Sequence, residues 1–195
     1  MEPSMHIGID FGSKLAGTTA LCIGVSGEVL RIFSSEKGQD ADLFLNAALE
    51  GQAPATLCID APLSLPLAYR QPNENSDFFY RKADRQAKAM SPLFLGGLTA
   101  RACRLAQQWT KQGFVVFEGY PGGFIKTLNR VPAYKTTKSE LPAFRAFLES
   151  TIGQAIPELK SWHEADAVLA WWIACRIDRQ LAQPIGDPNE GLIWI

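Results

Sequence analysis

Four carboxylates stand in apolar surroundings: Asp10 in "GIDFGSKLAGTTA", Asp60 in "CIDAPLSLP", Glu118 in "FEGYPGGF" and Asp166 in "HEADAVLAWW". Carboxylates drawn into one poorly solvated crevice repel each other unless they are protonated or share cations. Oxygen donors suit hard ions, so the set predicts two Mg²⁺ or Mn²⁺ ions, with Asp10 bridging them and Asp60 and Asp166 each completing one shell. Such ions would activate a water and stabilise the leaving oxygen of an in-line phosphodiester displacement. Each acid also has a structural reading. Asp10 stands before Gly12 and suits a turn, and Asp60 stands before Pro62 and suits an Asx turn. For both, the site reading is preferred, for Asp10 because Ile7 and Ile9 predict burial. The facing of Glu118 stays open, because strands alternate faces and one residue of slip reverses it. "SWHE" fits a capping box, with Ser161 at the N-cap and Glu164 reaching back to its amide. Asp166 lies two residues on, about 200° round the helix, and is the expected ligand. His6 and His163 read as structural, since an oxygen-rich site does not need imidazole.

The acids need elements to hold them. "MHIGIDF", "AGTTALCIGV" and "EVLRIFSS", separated by Gly12 with Ser13 and by Ser26 with Gly27, predict a three-stranded antiparallel meander. "DADLFLNAALEG" predicts a helix stopped by Gly51, and "ATLCIDAPLSLP" a short strand cut off by Pro62 and Pro66. A helix between two strands implies a parallel crossover. Helices are expected near 77–90 and 97–112, then a strand "FVVFEGYP", a basic loop "NRVPAYKTTKSE", a helix from Leu141, a last helix from His163 to Leu181, and "GLIWI" as an edge strand. This order predicts one α/β domain over 1–195, with three antiparallel strands and then parallel strands in a mixed five-stranded sheet, helices on both faces and a basic helical insertion around 67–112. In such sheets the carboxyl ends of neighbouring parallel strands share a crevice, the usual place for a ligand.

The net charge of −1 hides a segregation: Arg70 to Lys138 carries twelve basic and four acidic residues, and the remainder seven and sixteen. An excess spread over helix, loop and helix points to an anionic partner, although a dedicated duplex binder would be more basic overall. In "RKADRQAK", Arg81, Arg85 and Lys88 stand at i, i+4 and i+7 and offer a phosphate-positioning face, the alternative being a salt-bridged exposed helix in which Asp84 pairs with Arg81 or Lys88. Lys14, in the turn after the first strand, is either a phosphate contact or a solvated turn lysine. Tyr80, Phe124 and Tyr134 are candidates to stack on unpaired bases, with a core role as the alternative. The expected partner is nucleic acid, single-stranded or branched. Cys22, Cys58, Cys103 and Cys175 lack C-x-x-C spacing and read as core thiols. No apolar run reaches the ~18 residues of a membrane span and no basic leader precedes an apolar stretch, so the expectation is a cytoplasmic protein without a membrane partner.

Taken together, "GIDFG", "CIDAPLSLP", "RKADRQAK", "FEGYPGGF" and "HEADAVLAWW" resemble, in order and spacing, the predicted ribonuclease H-like nuclease family first catalogued as domain of unknown function number 429. The resemblance covers nearly the whole chain. It implies a ribonuclease H-like fold and carries Asp10, Asp60, Glu118 and Asp166 over as the acidic site of a Mg²⁺- or Mn²⁺-dependent nuclease. "DFGSKLAGTTA" also resembles the phosphate-holding hairpin of actin-like kinases, which place ATP between two such halves; this chain has room for one. A non-catalytic nucleic-acid-binding protein of the same fold is the other alternative. It would keep the basic segment without needing Asp10, Asp60 and Asp166 together.

Overall fold

The computed structural model describes residues 4–195. Strands β1 (Met5–Asp10), β2 (Ala20–Val25) and β3 (Arg31–Ser34) form the antiparallel meander, and helix α1 (Ala41–Leu49) crosses to β4 (Thr56–Asp60). With β5 (Val115–Glu118) they build one sheet in the order β3-β2-β1-β4-β5, in which β1, β4 and β5 run parallel. The α/β class and the mixed five-stranded sheet are therefore as expected.

Alternation along the strands makes two cores. Ile7, Ile9, Leu21, Ile23, Leu57 and Ile59 cluster with Leu45 and Leu49 of α1 and with Ala102, Leu105 and Trp109 of α4 (Gly97–Lys111). Ala20, Cys22 and Cys58 belong to the other face, beneath α7 (Trp162–Asp178). Eleven of the seventeen residues of α7 are buried, because α5 (Pro121–Ile125) and α6 (Leu141–Ile152) contact it in addition to the sheet. A helix apolar on all sides is stable only when enclosed in this way.

The seat of α7 on β1 is Gly8. A Cβ there would lie 2.0 Å from Trp171 N and 2.2 Å from Ala167 O, so only glycine permits the approach. Farther along, His6 Nε2 lies 2.8 Å from Asp178 Oδ2, and Thr56 Oγ1 donates to Asp178 Oδ1 at 2.7 Å. The C-terminal end of α7 thus clamps the starts of β1 and β4, and its N-terminal end reaches their carboxyl ends. His6 is structural, as expected.

Two elements depart from expectation. The helix expected near 77–90 is only α2 (Lys82–Ala87), because Lys88 adopts a left-handed backbone (φ 53°) and Pro92 then opens the short α3 (Pro92–Leu95). The insertion expected over 67–112 also ends in α4, which belongs to the core layer. "GLIWI" yields β7 (Gly191–Trp194), but its partner is β6 (Pro184–Asp187), and the hairpin meets the main sheet at one bridge, Gly119 to Trp194. Pro184 and Gly186 conceal β6 from a reading by strand propensity. All four cysteines are free thiols, and burial pushes the Cys22 and Cys58 thiols up. Among the described residues no helix is long and apolar enough to cross a membrane.

Candidate metal centre

Asp10 and Asp60 are register partners at the carboxyl ends of adjacent parallel strands, so their side chains leave the same face of the sheet. That face is the one α7 covers, and Asp166 stands on α7 immediately before Ala167, which rests on Gly8. One oxygen from each of the three acids lies within 4.8 Å of the others. Asp166 is wholly buried and Asp10 nearly so, whereas Asp60 keeps an accessible edge although protein surrounds it. Burial, and then repulsion from Asp10 and Asp166, pushes the Asp60 carboxyl well above the usual carboxylate range. Burial and the charge of Asp10 raise Asp166 to about 6, against the opposing pull of Lys135 and Tyr134.

Three neighbours hold the acids in place. His163 Nδ1 lies 2.7 Å from Asp10 Oδ2, a hydrogen bond that raises the imidazole above its ordinary pKa despite partial burial. Tyr134 donates its hydroxyl to Asp166 Oδ1 at 2.5 Å. Lys135 Nζ approaches Asp166 Oδ2 to 2.5 Å, a charge contact that pulls the Asp166 carboxyl down against its burial. Among the described residues Asp60 accepts no hydrogen bond from the protein. Three converging carboxylates of hard oxygen donors, one of them without a protein partner, fit a divalent cation of the Mg²⁺ or Mn²⁺ class.

His163 therefore belongs to the site, contrary to the structural role expected for it. The available signal was its spacing, three residues before Asp166 and so on the same helical face. Tyr134 and Lys135 come from the basic loop before α6, where no periodicity marks facing, and Lys135 takes a left-handed backbone (φ 54°) to reach Asp166. Tyr134 is consequently not free to stack on a base.

Glu118 does not join the triad. Its register partner is Ile59 rather than Asp60, which turns it to the opposite face of the sheet. There it accepts hydrogen bonds from Arg81 at 2.7 and 2.6 Å and from Leu63 N at 2.8 Å. Burial raises the Glu118 carboxyl against the pull of that guanidinium. Arg81 is also bound to Asp84 at 2.6 Å and to Ser64 Oγ at 2.9 Å, and has no exposed surface. It is a core ion rather than a phosphate contact, and the face expected from Arg81, Arg85 and Lys88 does not form. Arg81 is the N-cap and Lys88 the C-cap of a six-residue helix, while Arg85 points outward, paired with Asp77 at 2.7 Å and lying 3.7 Å over the Tyr80 ring. Lys14 is exposed and pairs with Asp40 at 3.0 Å, beside the start of α1. Phe124 is core, and Tyr80 is half-buried under Arg85.

Glu164 is structural. Its amide donates to Ser161 Oγ at 3.2 Å, as a capping box requires, but its carboxylate accepts from Lys160 N at 2.6 Å instead of the Ser161 amide. The second carboxylate oxygen accepts from Ser34 Oγ at 2.9 Å and ties the helix start to β3. No protein-family model matches the sequence, and no curated protein matches it.

Proposed function

We propose that this chain is a ribonuclease H-like, Mg²⁺- or Mn²⁺-dependent hydrolase that cleaves phosphodiester bonds in nucleic acid. The convergence of Asp10, Asp60 and Asp166 within 4.8 Å at the carboxyl ends of β1 and β4 carries this assignment. The strand order β3-β2-β1-β4-β5 with helices on both faces supports the fold, being the order that the resemblance to the predicted nucleases implies. When bound, divalent cations neutralise charge on a phosphate and acidify a water enough for it to attack. Asp10, Asp60 and Asp166 would hold them. His163 steadies one oxygen of Asp10 and Tyr134 one oxygen of Asp166, which restricts both carboxylates to a single orientation. Lys135 is half exposed, so its ammonium balances the buried acids and stands where a phosphate oxygen entering the crevice meets it.

The test is cleavage of labelled single-stranded and branched DNA and RNA in millimolar Mn²⁺. Wild type is expected to cut at least one of them, and Asp10→Asn to be slower by at least ~10³-fold, as for loss of several kcal/mol of transition-state stabilisation. Undiminished cleavage by Asp10→Asn sinks the assignment. A wild-type protein that binds Mn²⁺ and nucleic acid but cuts nothing is instead a non-catalytic binding protein.

A further inference from the structure

Tyr69, Phe78, Phe79 and Phe94 are four of the five exposed aromatic side chains among the described residues, and all lie between β4 and α4. Exposed apolar residues scattered singly need no explanation, but a contiguous group marks an interaction surface. Phe79 is 57% exposed and Phe94 62%, and their rings lie 6.0 Å apart between centroids. Tyr80 meets Phe94 edge-on at 5.7 Å, and its own face already carries the planar guanidinium of Arg85 at 3.7 Å. Ser91 donates to the Phe79 carbonyl and so fastens the two halves of the patch together.

A cavity of about 110 Å³ lies between Asp60 and the segment that carries this patch. Met90 and Leu95 line it from the aromatic segment, Asp60 from the acid triad, Asp84 and Glu118 from the ion cluster around Arg81, and Pro62 and Tyr120 contribute further wall. Lys88, two residues before Met90, is exposed and has no acidic partner among the described residues. Flat apolar rings and an unpaired ammonium suit a polyanion with exposed planar groups. A duplex hides its base faces, and a second copy of this chain would leave the ammonium without use.

We propose that the Phe79 and Phe94 rings, on the segment that carries Lys88 and that lines a cavity with Asp60, form a platform on which unpaired bases of a single-stranded nucleic acid stack. Its orientation toward Asp60 rests on the hydrolase assignment, whereas the binding itself does not require catalysis.

The experiment is fluorescence anisotropy of labelled (dT)12, (rU)12 and a blunt DNA duplex with the full chain, in Ca²⁺ and again in EDTA. Both single strands are expected to bind more tightly than the duplex. Phe94→Ala should weaken single-strand binding about tenfold, the scale of one stacked base, while leaving duplex binding unmoved. Phe94→Tyr should restore it, and the ratio of (dT)12 to (rU)12 reports which sugar is preferred. Because Phe94 is mostly exposed, the melting temperature should not change. Single-strand affinity indifferent to Phe79→Ala and Phe94→Ala together overturns the platform, even if Mn²⁺-dependent cleavage proceeds. Phe94-dependent self-association without oligonucleotide binding overturns it in favour of an interface between copies. Phe94-dependent binding with no cleavage in Mn²⁺ upholds the platform and removes the hydrolase.

Discussion

Lys135 reaches Asp166 from a left-handed backbone, a conformation that disfavours a residue with a side chain by about 1 kcal/mol. Burial alone would lower its pKa, but the nearby carboxylates of Asp166, Asp10 and Asp60 raise it overall, so the ammonium keeps its charge at neutral pH. It is therefore a resident cation on oxygens that would hold the proposed divalent ion. Lys135→Met should tighten Mn²⁺ binding about tenfold, or ~1.4 kcal/mol, a reasonable size for one charge pair at a partly solvated site. If the chain is the hydrolase proposed above, cleavage by the same variant should slow, because the phosphate contact proposed for Lys135 is lost. Calorimetric titration with Mn²⁺ measures the first effect without turnover; weaker binding by Lys135→Met would make the lysine a support for Asp166 instead of its competitor. At this scale the three aspartates were legible because each is a charge in an apolar run, and for Asp166 the cap was already supplied by Glu164. Lys135 was not, since a loop has no period, and His163 was marked only by its place three residues before Asp166 on the same helical face.

Among the elements, α7 decides which acids meet, and its start contains the sharpest contrast. Glu164 uses both oxygens as acceptors, from Lys160 N and Ser34 Oγ, so Glu164→Gln keeps only one and should cost about 1 kcal/mol of stability. The rise in melting temperature on adding Mn²⁺ should survive that change. Asp166→Asn should behave in the opposite way: the metal-free protein stays as stable or gains slightly, because a repelled buried charge is gone, and the Mn²⁺ shift shrinks. Melts of both variants with and without Mn²⁺ test the pair, and a shift lost in Glu164→Gln but kept in Asp166→Asn would reverse the two roles. The meander, α1 and β4 were legible because their apolar residues recur with the period of one element and stop at Gly or Pro. The reach of α2 was not, because nothing in "RQAKAM" announces a left-handed Lys88. Register was not legible either, and it alone turns Glu118 from the triad to Arg81: Asp60 pairs with Asp10, and Glu118 with Ile59.

For the whole molecule, the basic excess between Arg70 and Lys138 overstates the free positive surface. Arg81, Arg85, Arg101, Arg104 and Lys135 all have acidic partners, and Asp42 alone takes both Arg101 and Arg104. In the metal-free protein the acid cluster is only partly balanced, by Lys135 and His163, and stability should record it as a dependence on pH. Asp60 and Asp166 have folded pKa values raised above those of the unfolded chain, and so has His163. Each of these binds its proton more tightly when folded, so each contributes stability that is full below its unfolded pKa and fades as pH rises through its folded one. For Asp166 that fading spans the interval from its unfolded value of 3.8 up to about 6; for His163 it begins above 6.5. Asp40, Asp77 and Glu149 are lowered on folding and act oppositely, losing their contributions only as pH falls through the acid range below the ordinary carboxylate values. In EDTA the melting temperature should therefore be highest near pH ~5 and fall toward pH ~8. Saturating Mn²⁺ should flatten or reverse this slope above pH ~6, because the cation takes the place of the protons and binds the ionised form. Scanning calorimetry at four pH values, with EDTA and with Mn²⁺, measures both slopes. A melting temperature in EDTA that climbs from pH ~5 to ~8 would show that Asp60 and Asp166 ionise in the folded chain without penalty, and the need for a cation beside them would be gone.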